Sequence, residues 1–181
     1  MPQSATSFFG AIPSGLSGTR ATLKIMVMVA RKTLKPATAE ATQNLLLFRT
    51  TAQRLVQNCG EKDYWCEAAT LQGFVRDSIR YLRDMRTAET IQTPEKTLHE
   101  RSGDCDDKSL LLAVLAETIG FSARFCAIGV RGETYSHVSA QLLIPSKGWV
   151  NAETIPISDS GGKAALGWFP PDATCLMLAH V

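Results

Sequence analysis

The chain has 181 residues, of which 45% are apolar and 20% charged, with five cysteines, three histidines and a net charge of +2. That length suits one domain with a sizeable core, or one domain with an extension, and the apolar content excludes wholesale disorder. The small net charge argues against nucleic acid as a partner, and no apolar run approaches the roughly 18–20 residues that span a bilayer.

Residues 1–19 are rich in Ser, Gly, Thr and Pro and lack periodicity, which predicts a flexible arm with Phe8 and Phe9 as its anchors. They lack the basic start and long apolar stretch of a secretory signal, so the expected location is cytoplasmic, with thiols rather than a disulfide framework. From Arg20 to Leu34 the spacing of Leu23, Met26, Val27 and Ala30 predicts a helix, although Ile25–Val29 also reads as a buried strand. Pro36 stands where a first helical turn tolerates proline, and Leu45, Leu46, Phe48, Ala52, Leu55 and Val56 make an amphipathic face that stops at Gly60. Residues 20–60 thus read as a basic helical extension. Residues 1–57 hold seven Lys or Arg against Glu40 alone, a net of +6, while the remainder carries −4. Such a basic first third is either a solvated helix face or a docking face.

A third helix is expected from Trp65 to Leu82, and residues 86–103, broken by Pro94 and Gly103, read as a loop. At Gly103-Asp104-Cys105-Asp106-Asp107 a helix begins, with Asp104 as its cap and Asp107 as the acid three residues on. It is apolar nearly all round, which places it in the middle of the core, and Gly120 ends it. Ala123–Val130, Ser136–Ile144 and Gly148–Thr154 then read as strands. The expected class is α+β: N-terminal helices and a buried core helix bearing the cysteine, packed on an antiparallel sheet, with residues 61–181 as the main domain.

A cysteine in the first turn of a buried helix sits where unpaired N–H groups and the helix dipole favour a thiolate and can cradle an oxyanion. Asp104, Asp106 and Asp107 oppose this, so Cys105 needs a cationic partner. His99, His137 and His180 are the candidates, and His137, at the opening of a strand, can point back at the helix start. Glu153 on the adjacent strand can take the second ring nitrogen, completing a Cys–His–acid set.

Gly103-Asp104-Cys105-Asp106-Asp107, Gly120, Ser136-His137-Val138 and Gly148-Trp149-Val150 with an acid four residues past the Trp occur in this order. This series resembles the transglutaminase-like superfamily of papain-like cysteine enzymes. Phe74–Asp77, Ile79–Tyr81 and Glu89–Pro94 extend the likeness to small members encoded by bacteriophages and prophages. The resemblance covers about residues 64–170. It implies Cys105 as nucleophile, His137 as general base and Glu153 at a position usually filled by Asp, with Asn151 and Asp159 as alternatives for orienting His137. Gln92 is an oxyanion-hole candidate by analogy, and Asp104, Tyr135 and Trp149 are candidates for lining the pocket. The implied activity is acyl transfer, foremost hydrolysis of a peptide or amide bond in a peptide or protein substrate, without a cofactor. The alternative is a non-catalytic phage structural protein, incorporated in a virion or tail, that keeps the fold and docks on other phage proteins through residues 1–57.

The other cysteines read as bland: Cys126 and Cys175 as buried thiols, Cys59 and Cys66 as free thiols able to pair on oxidation. No CxxC or HxxxH occurs, so no metal is expected. His99 and His180 read as solvent residues.

Overall fold

A computed structural model describes residues 16–83, 90–130, 137–155 and 164–181. Phe8, Phe9, Tyr135 and Asp159 lie outside the described residues. The fold is arranged around the apolar helix that starts at Cys105. In chain order the elements are α1 (Leu16–Leu34), α2 (Ala39–Val56), α3 (Tyr64–Ser78), β1 (Arg80–Tyr81), α4 (Pro94–Glu100), β2 (Ser102–Gly103), α5 (Cys105–Thr118), β3 (Ala123–Val130), β4 (His137–Ile144), β5 (Gly148–Ala152) and β6 (Ala173–His180).

Helix α5 touches α1, α2, α3 and α4 on one side and β3 and β4 on the other. Every residue from Leu110 to Ala116 is fully buried, so this segment is apolar on all faces because it has no solvent face. At roughly 1.5–3 kcal/mol per large buried side chain, its leucines hold the helical layer to the sheet. The sheet has the order β5-β4-β3-β6 and is antiparallel throughout. Its helix-facing residues, among them Phe125, Ala127, Val138, Ala140, Leu142, Val150 and Ala152, join the same core as α5.

Side-chain caps begin the other helices: Thr38 accepts from the Ala41 N–H for α2, Asp63 from Cys66 for α3, and Thr93 from Lys96 for α4. The α+β arrangement expected from the pattern is the one observed, and Ile25–Val29 is helical. Several details differ. Helix α1 begins inside the segment expected as an arm. The segment expected as an extension places Leu23, Met26, Ala30, Phe48 and Ala52 in the common core. The third helix stops at Ser78, and Arg80 and Tyr81 instead pair in parallel with Ser102 and Gly103. The expected 86–103 loop holds α4, in which Pro94 starts the helix rather than breaking it, its fixed φ suiting the first turn. Strand β6 was not signalled at all.

The cysteines also depart from expectation. Cys59 bonds Cys66, tying the end of α2 to the first turn of α3, and Cys126 bonds Cys175, tying β3 to β6. Cys175 is exposed rather than buried. Cys105 alone keeps a free thiol. The expectation of free thiols at these four positions is therefore not met. No helix of the described residues is long and apolar enough to cross a membrane.

Candidate active site

Helix α5 opens with a complete capping box. The Asp104 carboxylate accepts from the N–H groups of Asp106 (3.0 Å) and Asp107 (3.2 Å), and Asp107 Oδ2 accepts from the Asp104 N–H (3.2 Å). The Lys108 N–H goes to the Asp104 carbonyl (3.1 Å). Of the N–H groups that a helix start leaves over, only that of Cys105 has no acceptor among the described residues. The Asp104 carboxylate thus serves as the cap of α5, and its charge also acts on Cys105 and Tyr81.

The Cys105 sulfur is half-buried beside the start of β4. The thiol donates to Asp106 Oδ1 at 3.5 Å, and the Val138 N–H is near enough to favour the thiolate. One turn on, Ser109 Oγ donates to the Val138 carbonyl (3.2 Å), so α5 grips β4 at the residue next to His137. Burial pushes the Cys105 thiol well above its ordinary range, and the charges of Asp106 and Asp104 add to this, while the Val138 N–H works against them. The helix dipole does not prevail here, because the thiol is desolvated and flanked by carboxylates.

His137 Nε2 lies 2.7 Å from Glu153 Oε2. The carboxylate is buried, and its other oxygen accepts the Ile155 N–H at 2.8 Å. Gln72 Nε2 donates to the Glu153 carbonyl (2.8 Å) and to that of Ala164 (3.2 Å), fixing the backbone on which the acid stands. An imidazole facing a carboxylate through Nε2 carries its proton there, leaving Nδ1 as the basic nitrogen. The structure brings His137 and Glu153 into contact and sets the Cys105 sulfur near the neighbouring Val138, without a hydrogen bond between sulfur and ring.

The other sequence candidates divide. The Gln92 N–H donates to Asp107 Oδ1 (2.7 Å), so the thirteen-residue lead over Cys105 folds back onto the first turn of α5, with Gln92 Oε1 buried and unpartnered. Asn151 is used elsewhere: it accepts from Ser139 Oγ (2.6 Å) and donates to the Trp168 carbonyl (2.8 Å). Trp149 pairs with Leu143, five residues along β4 from Val138 and so about 17 Å away. There it lies under the Arg124 guanidinium (4.2 Å) and meets the edge of His180, and it is not part of the site. His99 and His180 are exposed.

Two residues near the site escaped sequence reasoning. Tyr81 pairs in register with Gly103, and burial and the nearby Cys105 raise its phenol pKa. Lys108 is fully buried in the first turn of α5, where its Nζ donates to the carbonyls of Ile79 (2.7 Å) and Arg76 (3.3 Å) at the end of α3. The lysine three residues after the cysteine was the available signal, since a cation at the head of a buried apolar run has to find acceptors.

Residues 49–154 match the model of the transglutaminase-like superfamily. Among solved structures, the chain is similar to a candidate protease from Parabacteroides distasonis ATCC 8503, at TM-score 0.56 and 12% identity, over 84% of this chain and 32% of that one. A candidate cysteine protease from Cytophaga hutchinsonii matches at TM-score 0.49 and 14% identity, over 76% of this chain and 50% of that one. The chain thus spans about a third and a half of these two proteins' lengths. No curated protein matches the chain. With the family model covering more than half of the residues, from α2 through the cysteine helix to Glu153 and Thr154, the chain belongs to the transglutaminase-like superfamily.

Proposed function

We propose that the protein is a cysteine enzyme that hydrolyses a peptide or amide bond with Cys105, His137 and Glu153. The observation that carries this reading is the 2.7 Å contact between His137 Nε2 and the buried Glu153, on the strand that the cysteine helix grips at the next residue through Ser109. His137 Nδ1 takes the thiol proton as sulfur attacks the substrate carbonyl carbon. The oxyanion forms near the unused Cys105 N–H, with the Gln92 amide as the second candidate donor. The proton passes from His137 to the leaving amine, which departs as the acyl-sulfur bond is completed. Water, deprotonated by the same ring, then releases the acid and regenerates the thiol. Because burial and acidic neighbours favour the neutral thiol, proton transfer accompanies attack.

Iodoacetamide alkylation of Cys105 at pH 7, followed by mass spectrometry, tests the pair directly. His137→Ala should slow it at least about 10-fold, and release of new amines from casein should be lost in Cys105→Ser. Equal alkylation rates with and without His137 would overturn the reading.

A docking role is the second reading, favoured by four basic side chains, Arg20, Lys24, Arg31 and Lys32, that α1 holds outside the core. The resemblance to phage and prophage members makes other virion proteins the partners this reading expects.

A further inference from the structure

We propose that the channel between α1 and β6 is a docking site for an extended acidic peptide segment, taken up as an additional strand on β6. This deepens the docking reading by naming the surface and the chemistry of its occupant, and does not depend on catalysis.

Arg20, Lys24, Val27, Met28 and Arg31 recur at helical spacing and line one wall of a groove of about 740 Å³, with Leu178 of β6 on the other. Met28 and Leu178 are 51% and 47% exposed, large for apolar side chains of a folded chain. Arg31 Nη2 reaches the His180 carbonyl (3.4 Å), bracing α1 against the end of β6. Arg20 and Lys24 make no ion pair among the described residues, so the rim is a row of uncompensated positive charge over an apolar floor. Strand β6 has β3 as its one sheet neighbour among the described residues, and its other edge has backbone donors and acceptors to offer.

These three properties select one kind of occupant. An open strand edge rewards a backbone that can pair along it, which a polynucleotide cannot do. The apolar floor takes alternate side chains of such a strand, and the basic row takes carboxylates at the alternate positions. Arg20 to Arg31 spans about 16 Å of helix, the length of roughly five strand residues. The groove lies toward the α5 C-terminal end of the sheet, where β6 pairs with the beginning of β3, so an occupant would leave Cys105 free.

The test uses the full chain carrying Cys105→Ser, which keeps any probe intact, and a fluorescent octapeptide EVELEVEL with KVKLKVKL as its control. Anisotropy should show binding of the acidic peptide alone, weakened several-fold between 50 and 300 mM salt. The pair Arg20→Glu and Lys24→Glu should weaken it at least 10-fold, while Lys35→Glu with Arg54→Glu changes it less than 2-fold. Hydrogen exchange should slow at the β6 amides on binding. Binding lost with Lys35 and Arg54 but kept without Arg20 and Lys24 would leave docking to the basic first third and overturn the groove. Equal binding of both peptides, or of neither, would also overturn it. So would a dimer, seen by sedimentation and dissolved by Leu178→Lys, that excludes the acidic peptide.

Discussion

Glu153 reaches His137 diagonally across two strands. Ala140 pairs with Ala152, so the next position on the β5 side stands opposite Ser139, two residues from His137, yet Glu153 Oε2 lies 2.7 Å from His137 Nε2. Diagonal neighbours on paired strands are about 7–8 Å apart at Cα, which suits a glutamate better than an aspartate. The extra methylene, which the resemblance left as a departure from the usual Asp, is what closes this gap.

Glu153→Asp should therefore lose the contact while keeping the charge. Under the proposed mechanism, amine release from casein falls at least about 10-fold in Glu153→Asp and about 100-fold in Glu153→Gln, with thermal stability lowered in both. Full activity in the aspartate variant would show that the ring is oriented by another group.

Burial raises the Cys105 thiol pKa, and Asp106 adds to this through its charge and the 3.5 Å contact with the sulfur. Asp106→Asn removes the charge, so the Cys105 pKa should fall and iodoacetamide should react faster at pH 8. A pKa that stays in place would assign the shift to burial alone. Asp104→Asn is a useful companion, since asparagine keeps the cap and also removes one charge.

Gly103 precedes the cap at a point with no room for a side chain. A Cβ there would lie 2.6 Å from the Asp107 Cβ and 3.0 Å from its Oδ2. Gly103→Ala should displace Asp107, opening the capping box and releasing the Gln92 N–H from Oδ1. Losing such a cap costs about 1 kcal/mol, and strain adds to it. A melting temperature at least about 3 °C lower in Gly103→Ala is expected, and an unchanged one would mean that the backbone yields freely.

What was legible in the sequence follows the range of the interactions. The Asp104–Asp107 box is made within four residues by a side chain and its own backbone, and it was read correctly together with the buried helix behind it. The contacts at the site made across the chain were not: Tyr81 against Gly103, Gln92 against Asp107 and Lys108 against Ile79 depend on two-residue strands and one short helix, which leave no periodic trace. Strand β6 was missed for a related reason. As an edge strand with Thr174, Cys175, Leu176 and Leu178 all exposed, it lacks the alternation that marks a half-buried strand. Without β6 the Cys126 pairing could not be seen, because connectivity does not follow from spacing.

The disulfides give a count that can be checked. Denatured, unreduced protein should titrate one thiol with Ellman's reagent, that of Cys105, instead of five. By loop length, Cys126–Cys175 with its separation of 49 should contribute about 4 kcal/mol and Cys59–Cys66 with its separation of 7 about 2 kcal/mol. Replacing the first pair with serine should thus lower the melting temperature more than replacing the second. Five titrated thiols in protein folded under air would contradict the pairing.

Lys108 makes stability depend on pH in a direction that can be worked out. Burial lowers its pKa from an ordinary 10.5 to about 8, against the favourable charges of Glu153 and Asp77, with Arg76 adding to the lowering. Between about pH 8 and 10.5 the unfolded chain holds this proton and the native protein has released it, so this group makes stability rise with pH across that window. Below pH 8 both states are protonated and the cost of the buried charge is felt in full. The raised Cys105 thiol works in the opposite sense above its ordinary pKa, so the comparison belongs in a Cys105→Ser background. There, the unfolding free energy of the parent relative to Lys108→Met should climb by on the order of 1–3 kcal/mol from pH 8 to 10.5. The loss of the Ile79 and Arg76 hydrogen bonds adds a largely constant offset, leaving the slope to report the proton. A difference that stays flat across the window would mean that Lys108 keeps its charge and that the α3 carbonyls with Glu153 and Asp77 fully compensate its burial.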